Sequence, residues 1–301
     1  MFRSILGLLP CVCLLAPASA EAHVIAGARV FPVTLTFDDP GMADEATLPQ
    51  FVFQPGPSGQ HEYNLEWEYD KTITPTFGLI YNQGWDILQQ PETKLHTGLE
   101  NIFVTAKWQF YTNPITETVI SAGIIREFAG NRATVNIGGD AYGSTAPTLY
   151  FGQGFGDLPI GLFRPLAITG EFSYIIADRR LNSAADNNGN PNSVSGGFSI
   201  QYSIPYLQSQ VQDFGFPQWI GSMIPLVEFT WFSPAEAPAN GLPATLMIAP
   251  GVIYMAAGYQ VGMEALIPGN RAAGPHVGAI LQVHFFFDDL FPHSLGAPLF
   301  R

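Results

Sequence analysis

The stretch His61 to Asp70, HEYNLEWEYD, narrows the possible folds more than any other part of the sequence. Its aromatic and aliphatic side chains occupy one parity, and its acidic and amide side chains occupy the other. A β-strand sends alternate side chains to opposite faces, whereas a helix would scatter these residues around its axis. We therefore predict a strand with an aromatic face and an acidic face. In a soluble sheet the aromatic face would be buried, whereas in a membrane barrel it would contact lipid.

Composition favours the membrane alternative. Hydrophobic residues make up 47% of the 301-residue chain and charged residues only 12%, which is about half the charged share of a typical soluble domain. A helical membrane protein would need runs of roughly 20 apolar residues, and the sequence beyond its first segment has none. Low charge without long apolar runs is typical of strands that alternate between lipid and an enclosed interior.

Residues 1–20 have the pattern of a secretory signal peptide, in which a basic start and an apolar stretch lead to Ala18-Ser19-Ala20. Ala20-Glu21-Ala22 is a second cleavage sequence of the same form, so cleavage after either alanine fits the pattern. Cys11 and Cys13 both lie in the part that would be removed. We expect an exported protein that is stabilised without disulfides, as a closed barrel would be.

Alternating segments recur along the chain and predict an all-β fold, a closed antiparallel up-and-down transmembrane β-barrel of about 12 strands. We place the first strand at 29–37, although Pro32 weakens it, and interpret 38–60 as a long loop. The predicted strands are 29–37, 61–70, 72–81, 99–111, 116–128, 148–155, 166–177, 196–204, 222–232, 245–256, 257–267 and 276–287. The expected domains are a signal peptide (1–20), a periplasmic leader (21–28), an outer-membrane β-barrel (29–287) and a C-terminal periplasmic extension (288–301).

The lengths of the connections support this interpretation. Connections after odd-numbered predicted strands are mostly long, and those after even-numbered strands are mostly short. Outer-membrane barrels place long loops outside the cell and short turns in the periplasm. We therefore expect both termini in the periplasm of a Gram-negative bacterium. Residues 206–221 are an exception, because they form a long connection where a short turn is expected.

A secreted β-sandwich or jelly roll would also produce alternating strands. The side chains on the apolar face argue against it, because they are rich in Trp, Tyr and Phe while small residues crowd the opposite face. A water-facing surface would also carry more charge than this sequence provides. We therefore favour the barrel. A sandwich would seal Trp67, Trp108 and Trp231 between two sheets.

The strands HEYNLEWEYD, ENIFVTAKWQFYTN and VGAILQVHFFFDD, together with the signal peptide, resemble those of small outer-membrane transporters of the phenol meta-cleavage pathway family. The resemblance covers most of the mature chain but includes no short diagnostic motif. It implies a channel or an uptake role. Residues 288–301 depart from the usual pattern, in which a terminal aromatic residue is recognised by the outer-membrane assembly machinery. Phe287 or Phe300 would serve as that aromatic residue.

If the aromatic parity faces lipid, the opposite parity lines an enclosed lumen, because ionisable groups are costly against hydrocarbon. Such a lumen is acidic and favours cations or neutral solutes over anions. The alternative is that these side chains pair with one another in a packed interior. The predicted lumen-lining residues are Glu62, Glu66, Glu68, Lys107, Glu171, Glu228, Glu264, His276, Gln282 and His284.

Other candidate sites are weaker. Arg179 and Arg180 follow a predicted strand and could bind lipopolysaccharide phosphates, although we favour a solvated loop flank. His276 and His284 are too far apart on one strand to bind the same metal, and neither has a catalytic partner visible in the sequence. We expect no catalytic residues, no metal and no cofactor. The net charge of −13 argues against nucleic acid as a partner.

These observations predict an outer-membrane channel or transporter, not an enzyme, that passes small solutes through an acidic lumen. Hydrophobic or aromatic compounds are among the solutes that such a lumen would admit. Two alternatives remain open: a structural or adhesive envelope barrel plugged by its own chain, and a barrel hydrolase acting on lipid. Interior acids that face a water path would favour transport, and a lumen filled with side chains would favour the structural role.

Overall fold

A computed structural model describes residues 24–56, 59–91, 95–130, 132–181, 189–236 and 241–300. The predicted signal peptide and both candidate cleavage sites lie outside these residues. Twelve long strands form a closed antiparallel barrel. The barrel strands are β3 (Glu45–Pro55), β4 (His61–Thr74), β5 (Phe77–Gln89), β7 (Ile102–Asn113), β8 (Thr118–Phe128), β9 (Ser144–Gly154), β10 (Leu166–Ala177), β11 (Ser193–Tyr202), β12 (Met223–Pro234), β13 (Thr245–Ala256), β14 (Tyr259–Pro268) and β15 (Gly278–Phe286).

Three shorter strands complete the β-structure. β1 (Val24–Ala26) and β2 (Arg29–Phe31) pair with each other, and β6 (His96–Leu99) pairs with the final part of β5. The barrel closes where β15 pairs with β3, from Ala279 opposite Phe53 to Phe286 opposite Glu45. Closure gives the first and last barrel strands a partner on both sides and leaves no exposed sheet edge.

The connections define two ends of the barrel. The loop end carries the segments 56–60, 90–101, 129–143, 178–192, 235–244 and 269–277. The turn end carries the segments 75–76, 114–117, 155–165, 203–222 and 257–258, of which 203–222 is the long exception expected from the sequence. Both the start of β3 and the end of β15 lie at the turn end, since these residues pair with each other.

Short helices lie in the connections and after the last strand. α1 (Arg132–Asn136) is at the loop end, α2 (Ile204–Tyr206) and α3 (Gln218–Gly221) lie in the long turn-end connection, and α4 (Phe287–Leu290) follows β15. Within the described residues, every helix is too short or too polar to cross a bilayer.

The outer face of the barrel is apolar. Large side chains on the outward parity are substantially exposed, among them Leu65 on β4, Trp108 on β7, Leu149 on β9 and Met263 on β14. The inward parity of the same strands carries Asn64, Lys107, Thr148 and Glu264, all of them buried. Trp108 is 54% exposed, so the stacked-sheet arrangement that would seal the tryptophans inside is absent.

The prediction of the first strand is wrong. Of residues 29–37, only 29–31 are extended in a strand, and they pair with 24–26 in a separate hairpin. Residues 38–60, interpreted as a loop, contain β3, the true first barrel strand. Pro49 and an interruption of the pairing between Thr47 and Gln50 break the alternation of side chains in β3. The sequence pattern therefore does not predict this strand. The prediction contains one incorrect strand, 29–37, and omits one real strand, β3. Since the two errors offset each other, every later strand still runs in the predicted direction.

Candidate functional site

Residues 24–44, which we call the inner segment, lie inside the barrel and not in its wall. β1 and β2 form a hairpin near the turn end, where a Cβ on Gly27 would come within 2.3 Å of the Pro114 carbonyl oxygen. Gly27 has a φ of +67°, and both this conformation and the close approach require glycine. The chain then contacts the middle of the wall through residues 33–38 and returns to the turn end to begin β3. Most of its residues are buried, and Gly27 and Ala28 at the tip of the hairpin are exposed.

Arg29 anchors the inner segment at the turn end. Its Nε donates to Glu117 Oε2 at 3.0 Å, and its Nη1 donates to the Pro165 carbonyl at 3.0 Å. Tyr206 places its ring 3.9 Å from the guanidinium carbon and donates its hydroxyl to Glu117 Oε1 at 2.8 Å. Arg29 is 1% exposed. This buried ion pair is satisfied by hydrogen bonds on both partners, which is what a stable buried charge requires.

Lys107 holds the inner segment halfway along the barrel. Its Nζ donates to Asp38 Oδ2 at 2.9 Å and to the Asp39 carbonyl at 2.7 Å, and it lies 4.6 Å from the centre of the Tyr150 ring. Lys107 is 1% exposed. A buried ammonium is tolerated only with such compensation. Removing it would leave two acidic side chains of the inner segment without their cation.

The opposite wall binds the backbone of the inner segment. Glu228 accepts hydrogen bonds from the amides of Leu35, at 3.0 Å, and Thr36, at 2.8 Å, and from the Thr36 hydroxyl. Gln260 donates to the Val33 carbonyl at 2.7 Å and accepts from the Val33 amide at 3.2 Å. These contacts supply partners for backbone groups that lie outside any sheet.

Apolar packing adds to these polar contacts. Phe31 packs with Val119 and Ala167 at the turn end, and Leu35 packs with Ile224 and Ile253 of the wall. The inner segment therefore fills the turn-end half of the lumen.

The inner segment ends at Asp44. Its carboxylate accepts from the Thr72 amide at 2.9 Å and from Lys71 Nζ, while its carbonyl accepts from the Phe287 amide at 2.8 Å. Burial, together with the nearby Asp44 carboxylate, raises the pKa of Asp288 to about 7. The C-terminal residues continue beneath β4, where the Phe300 amide donates to the Ile73 carbonyl at 2.8 Å. Both chain ends of the barrel are therefore fastened to the turn end of β4.

A cavity of about 640 Å³ lies between the inner segment and the loop end. Residues 33–38 of the inner segment form its floor. Its wall combines polar residues of β3, β4 and β5 with apolar residues of β13, β14 and β15. The lumen is therefore filled at the turn end and hollow at the loop end.

Most of the predicted lumen residues lie on the inward parity of their strands. Lys107, Glu228, Glu264, Gln282 and His284 are buried, and the four glutamates Glu62, Glu66, Glu68 and Glu171 are partly exposed towards the interior. The inward set is Glu62, Glu66, Glu68, Lys107, Glu171, Glu228, Glu264, Gln282 and His284. His276 is the correction: β15 begins at Gly278, so His276 belongs to the preceding loop and is exposed. The proline that precedes it, Pro275, lies in the same loop.

His284 lies between two side chains of β3. Its Nδ1 is 2.8 Å from the Thr47 hydroxyl, and its Nε2 is 3.1 Å from Glu45 Oε2. A hydroxyl, an imidazole and a carboxylate in a row are the parts of a nucleophilic site. Here all three are buried, with exposures of 3%, 1% and 4%. The row therefore joins β15 to β3, and its Thr47 also lines the loop-end cavity.

The two predicted lipopolysaccharide contacts occupy different surroundings. Arg180 donates to Glu236 through Nε, at 2.9 Å, and through Nη2. These hydrogen bonds lower the pKa of Glu236. Arg179 lies 5.3 Å from the centre of the Tyr142 ring. A similar pair joins Arg126 to Asp178 at 2.6 Å and lowers the pKa of that carboxyl. Arginine–carboxylate pairs thus connect neighbouring strands and loops at the loop end.

Sequence reasoning placed Lys107 and Glu228 in the lumen but missed their partners in the inner segment. Asp38 and Thr36 fall in a stretch interpreted partly as strand and partly as loop, and Gln260 was not singled out. One signal was present: Asp38-Asp39-Pro40-Gly41 ends the alternation that begins at Val33 and cannot continue a strand. In the part of the chain that the structure describes, no group of three or more His, Cys, Asp or Glu side chains could hold a metal ion.

Fold and site together define the molecule as a twelve-stranded outer-membrane-type barrel whose own N-terminal segment occupies half of the lumen. Its fold is similar to that of an outer membrane channel from Pseudomonas putida F1, with a TM-score of 0.54 and 11% identity over 85% of this chain and 99% of that one. It is also similar to the NanC porin, with a TM-score of 0.51 and 10% identity over 80% and 98%. No protein-family model and no curated protein matches the sequence.

Proposed function

We propose that this protein is an outer-membrane channel of a Gram-negative bacterium that passes small solutes, and that the inner segment is its movable plug. The exposed apolar side chains on the outer face support insertion in a bilayer, because such a surface is unfavourable in water. The similar fold of two outer-membrane proteins agrees with this location. The longer connections would then face outwards, and both termini would lie in the periplasm.

The cavity between the inner segment and the loop end is the main observation that supports the proposal. A barrel with a purely structural role has no need for a hollow loop-end half, yet this lumen keeps about 640 Å³ there. Several contacts at the cavity floor are hydrogen bonds and ion pairs, such as Glu228 to the Thr36 amide and Lys107 to Asp38. A hydrogen bond to a charged group contributes about 1.5–3 kcal/mol net, because water replaces it after release. The floor can therefore exchange these contacts for contacts with water when it detaches.

The permanently plugged envelope barrel remains the second candidate. Packing of Phe31 and Leu35 against the wall favours it, because these side chains would leave an apolar environment on release. Conductance separates the two candidates. A lipid hydrolase has less support, since the Thr47 hydroxyl beside His284 is 3% exposed and lines the cavity inside the barrel, not a rim that faces lipid. We therefore propose no chemical step.

The inward carboxylates support a preference for cations and neutral solutes over anions. Apolar residues on the other side of the cavity also make hydrophobic or aromatic solutes suitable. Membership of the phenol meta-cleavage pathway family, suggested by the strand sequences, fits such solutes. For partners, we propose that Arg179 contacts lipopolysaccharide, that Phe287 or Phe300 is recognised by the assembly machinery, and that nucleic acid is not bound.

Reconstitution of the purified protein in planar bilayers tests the proposal. We expect discrete conductance steps, and a reversal potential under a KCl gradient whose sign shows that K⁺ passes more readily than Cl⁻. The double variant Glu66→Gln/Glu68→Gln removes two inward acids and should weaken that preference. The matched control Asp157→Asn changes an exposed acid at the turn end and should leave it nearly unchanged. Silence of the wild-type protein at every voltage would favour the permanently plugged barrel.

A further inference from the structure

The loop-end cavity is chemically two-sided. Its acceptor side carries Glu66 and Glu68 of β4. Their carboxylates accept hydrogen bonds from amides: Gln50 Nε2 donates to Glu66 at 3.3 Å, and Asn82 Nδ2 donates to Glu68 at 3.4 Å. The opposite side carries the apolar side chains of Met247, Leu266 and Ile280. A solute in this cavity would meet negative charge on one side and hydrocarbon on the other.

The acids on this wall lack a basic partner. None of the ion pairs seen among the described residues includes Glu66 or Glu68. Lys107, the cation at the cavity floor, is already bonded to Asp38 and to the Asp39 carbonyl. A buried carboxylate is best stabilised by a cation as well as by hydrogen-bond donors. The amides of Gln50 and Asn82 supply donors to Glu66 and Glu68 but no positive charge, so a cation would complete this wall of the cavity.

The surplus of acceptors continues from the cavity towards the loop end. Asn64 lies two residues before Glu66 on the same face of β4, is 7% exposed, and its Oδ1 has no hydrogen-bond partner in the described structure. Asp86, opposite Asn64 in the strand pairing, is 2% exposed, and its Oδ1 also has none. Asn64 uses its Nδ2 to donate to Glu100, whose carboxylate lies over Gly84. These acceptor oxygens therefore lie on the same inward face as Glu66, beyond the residues that line the cavity.

An ammonium group matches this arrangement. It is positively charged, has three N–H donors and has no acceptor. The apolar wall selects for a hydrocarbon or aromatic body attached to that group, because a hydrated inorganic ion would gain nothing from Leu266 and Ile280. The described acids do not converge into a metal-binding group. The volume of about 640 Å³ lies within the range of small-molecule sites.

We infer that the loop-end cavity binds an organic cation, a primary amine on an apolar or aromatic body, with its ammonium group at Glu66 and Glu68. This inference rests on the proposed function, in which the cavity is part of the solute route. It names the class of solute that the route selects.

Isothermal titration calorimetry on the detergent-purified full chain tests the inference. The probes are 2-phenylethylamine, its neutral isostere 2-phenylethanol and the anion phenylacetate. We expect the amine to bind at least about tenfold more tightly than the alcohol, because charge-assisted hydrogen bonds are the strong ones, and we expect no measurable binding of the anion. Equal affinities for amine and alcohol in the wild-type protein would overturn the inference without any variant.

Variants locate the site. Glu66→Gln/Glu68→Gln should weaken amine binding about tenfold and leave alcohol binding within about twofold, while Asp157→Asn should change neither. An equal loss in Asp157→Asn would show attraction by net charge alone and would overturn the assignment. If the double variant does not fold, the two single variants are compared in its place. Because binding is measured at equilibrium, amine binding by a protein that never conducts would retain this inference and remove the proposed passage.

Discussion

Lys107 shows how one residue of the wall can hold the inner segment inside the lumen. Its ammonium lies on the inward face of β7, contacts Asp38 and Asp39 across more than sixty positions of sequence, and is shielded from solvent by Tyr150. Breaking a buried ion pair by removing one partner costs about 3–5 kcal/mol, because the other charge stays buried without compensation. The docked inner segment should therefore be much less stable without this side chain.

The variant Lys107→Met should release the inner segment. A loss of about 3 kcal/mol would raise the population of the released state about a hundredfold, since each 1.4 kcal/mol is a factor of about ten. The measurement is the labelling rate of Leu35→Cys by a bulky maleimide, as Leu35 is 3% exposed in the docked state. Labelling should be about a hundredfold faster in the Lys107→Met background.

The matched control is Arg180→Met, which also removes a cation from an ion pair. Its partner Glu236 lies at the loop end, and the Arg180 side chain is 58% exposed, so this pair contributes little to stability. Labelling of Leu35→Cys should stay unchanged in this background. Equal labelling in both backgrounds would mean that Lys107 does not hold the segment.

At the scale of elements, the sequence predicts the strands that alternate without interruption. β4, β7 and β15 carry one aromatic or aliphatic parity through most of their length, and the structure shows each of them as a barrel strand. The sequence does not predict β3, because a bulge near Pro49 places Thr47 and Gln50 on the same inward side. Its side chains therefore do not alternate with a period of two. The predicted number of barrel strands is still twelve, because the incorrect strand at 29–37 offsets the missing strand β3.

The candidate site was predictable only in part. Parity was enough to place Glu228 and Lys107 on the inner face, since it depends on neighbouring positions alone. Their partners in the inner segment were not predictable, because Glu228 and Leu35 are separated by 193 positions. A pattern of neighbouring residues in the sequence cannot indicate a contact between such distant positions. Polar residues that end a strand pattern, as at Asp38, look the same in a solvated loop and in a segment enclosed by a barrel.

At the scale of the whole molecule, the account requires that the outer face of the barrel meets hydrocarbon. Leu149 lies in the middle of β9, points outwards and is 49% exposed. We predict that Leu149→Arg destabilises the protein by about 2–4 kcal/mol in phospholipid vesicles, the cost of arginine near the midplane of a bilayer. The measurement is the free energy of unfolding in urea.

Ile115→Arg is the matched control for this prediction. Ile115 is 87% exposed in a turn-end connection, where an arginine would reach water. The free energy of unfolding should change by less than about 1 kcal/mol. Equal effects at Leu149 and Ile115 would contradict a membrane-spanning barrel, because both positions would then face the same solvent.

The central claim is that the inner segment opens and closes a passage through the barrel. A reversible cross-link can test it, because the sequence beyond the predicted signal peptide has no cysteine. A Cβ on Gly262 would lie 3.2 Å from Leu35 Cγ and 2.6 Å from Leu35 Cδ1. In the double variant Leu35→Cys/Gly262→Cys, the shorter cysteine removes that contact and brings two thiols within reach of a disulfide.

Single-channel recording of this double variant in planar bilayers, before and after addition of a reductant, measures whether the inner segment must move for solutes to pass. We expect a silent protein when the disulfide fixes the inner segment to β14, and conductance steps once the disulfide is reduced. Leu35→Cys alone should conduct in both conditions. Conductance in the oxidised double variant that equals that of the reduced form would contradict the account, because solutes would then pass without movement of the inner segment.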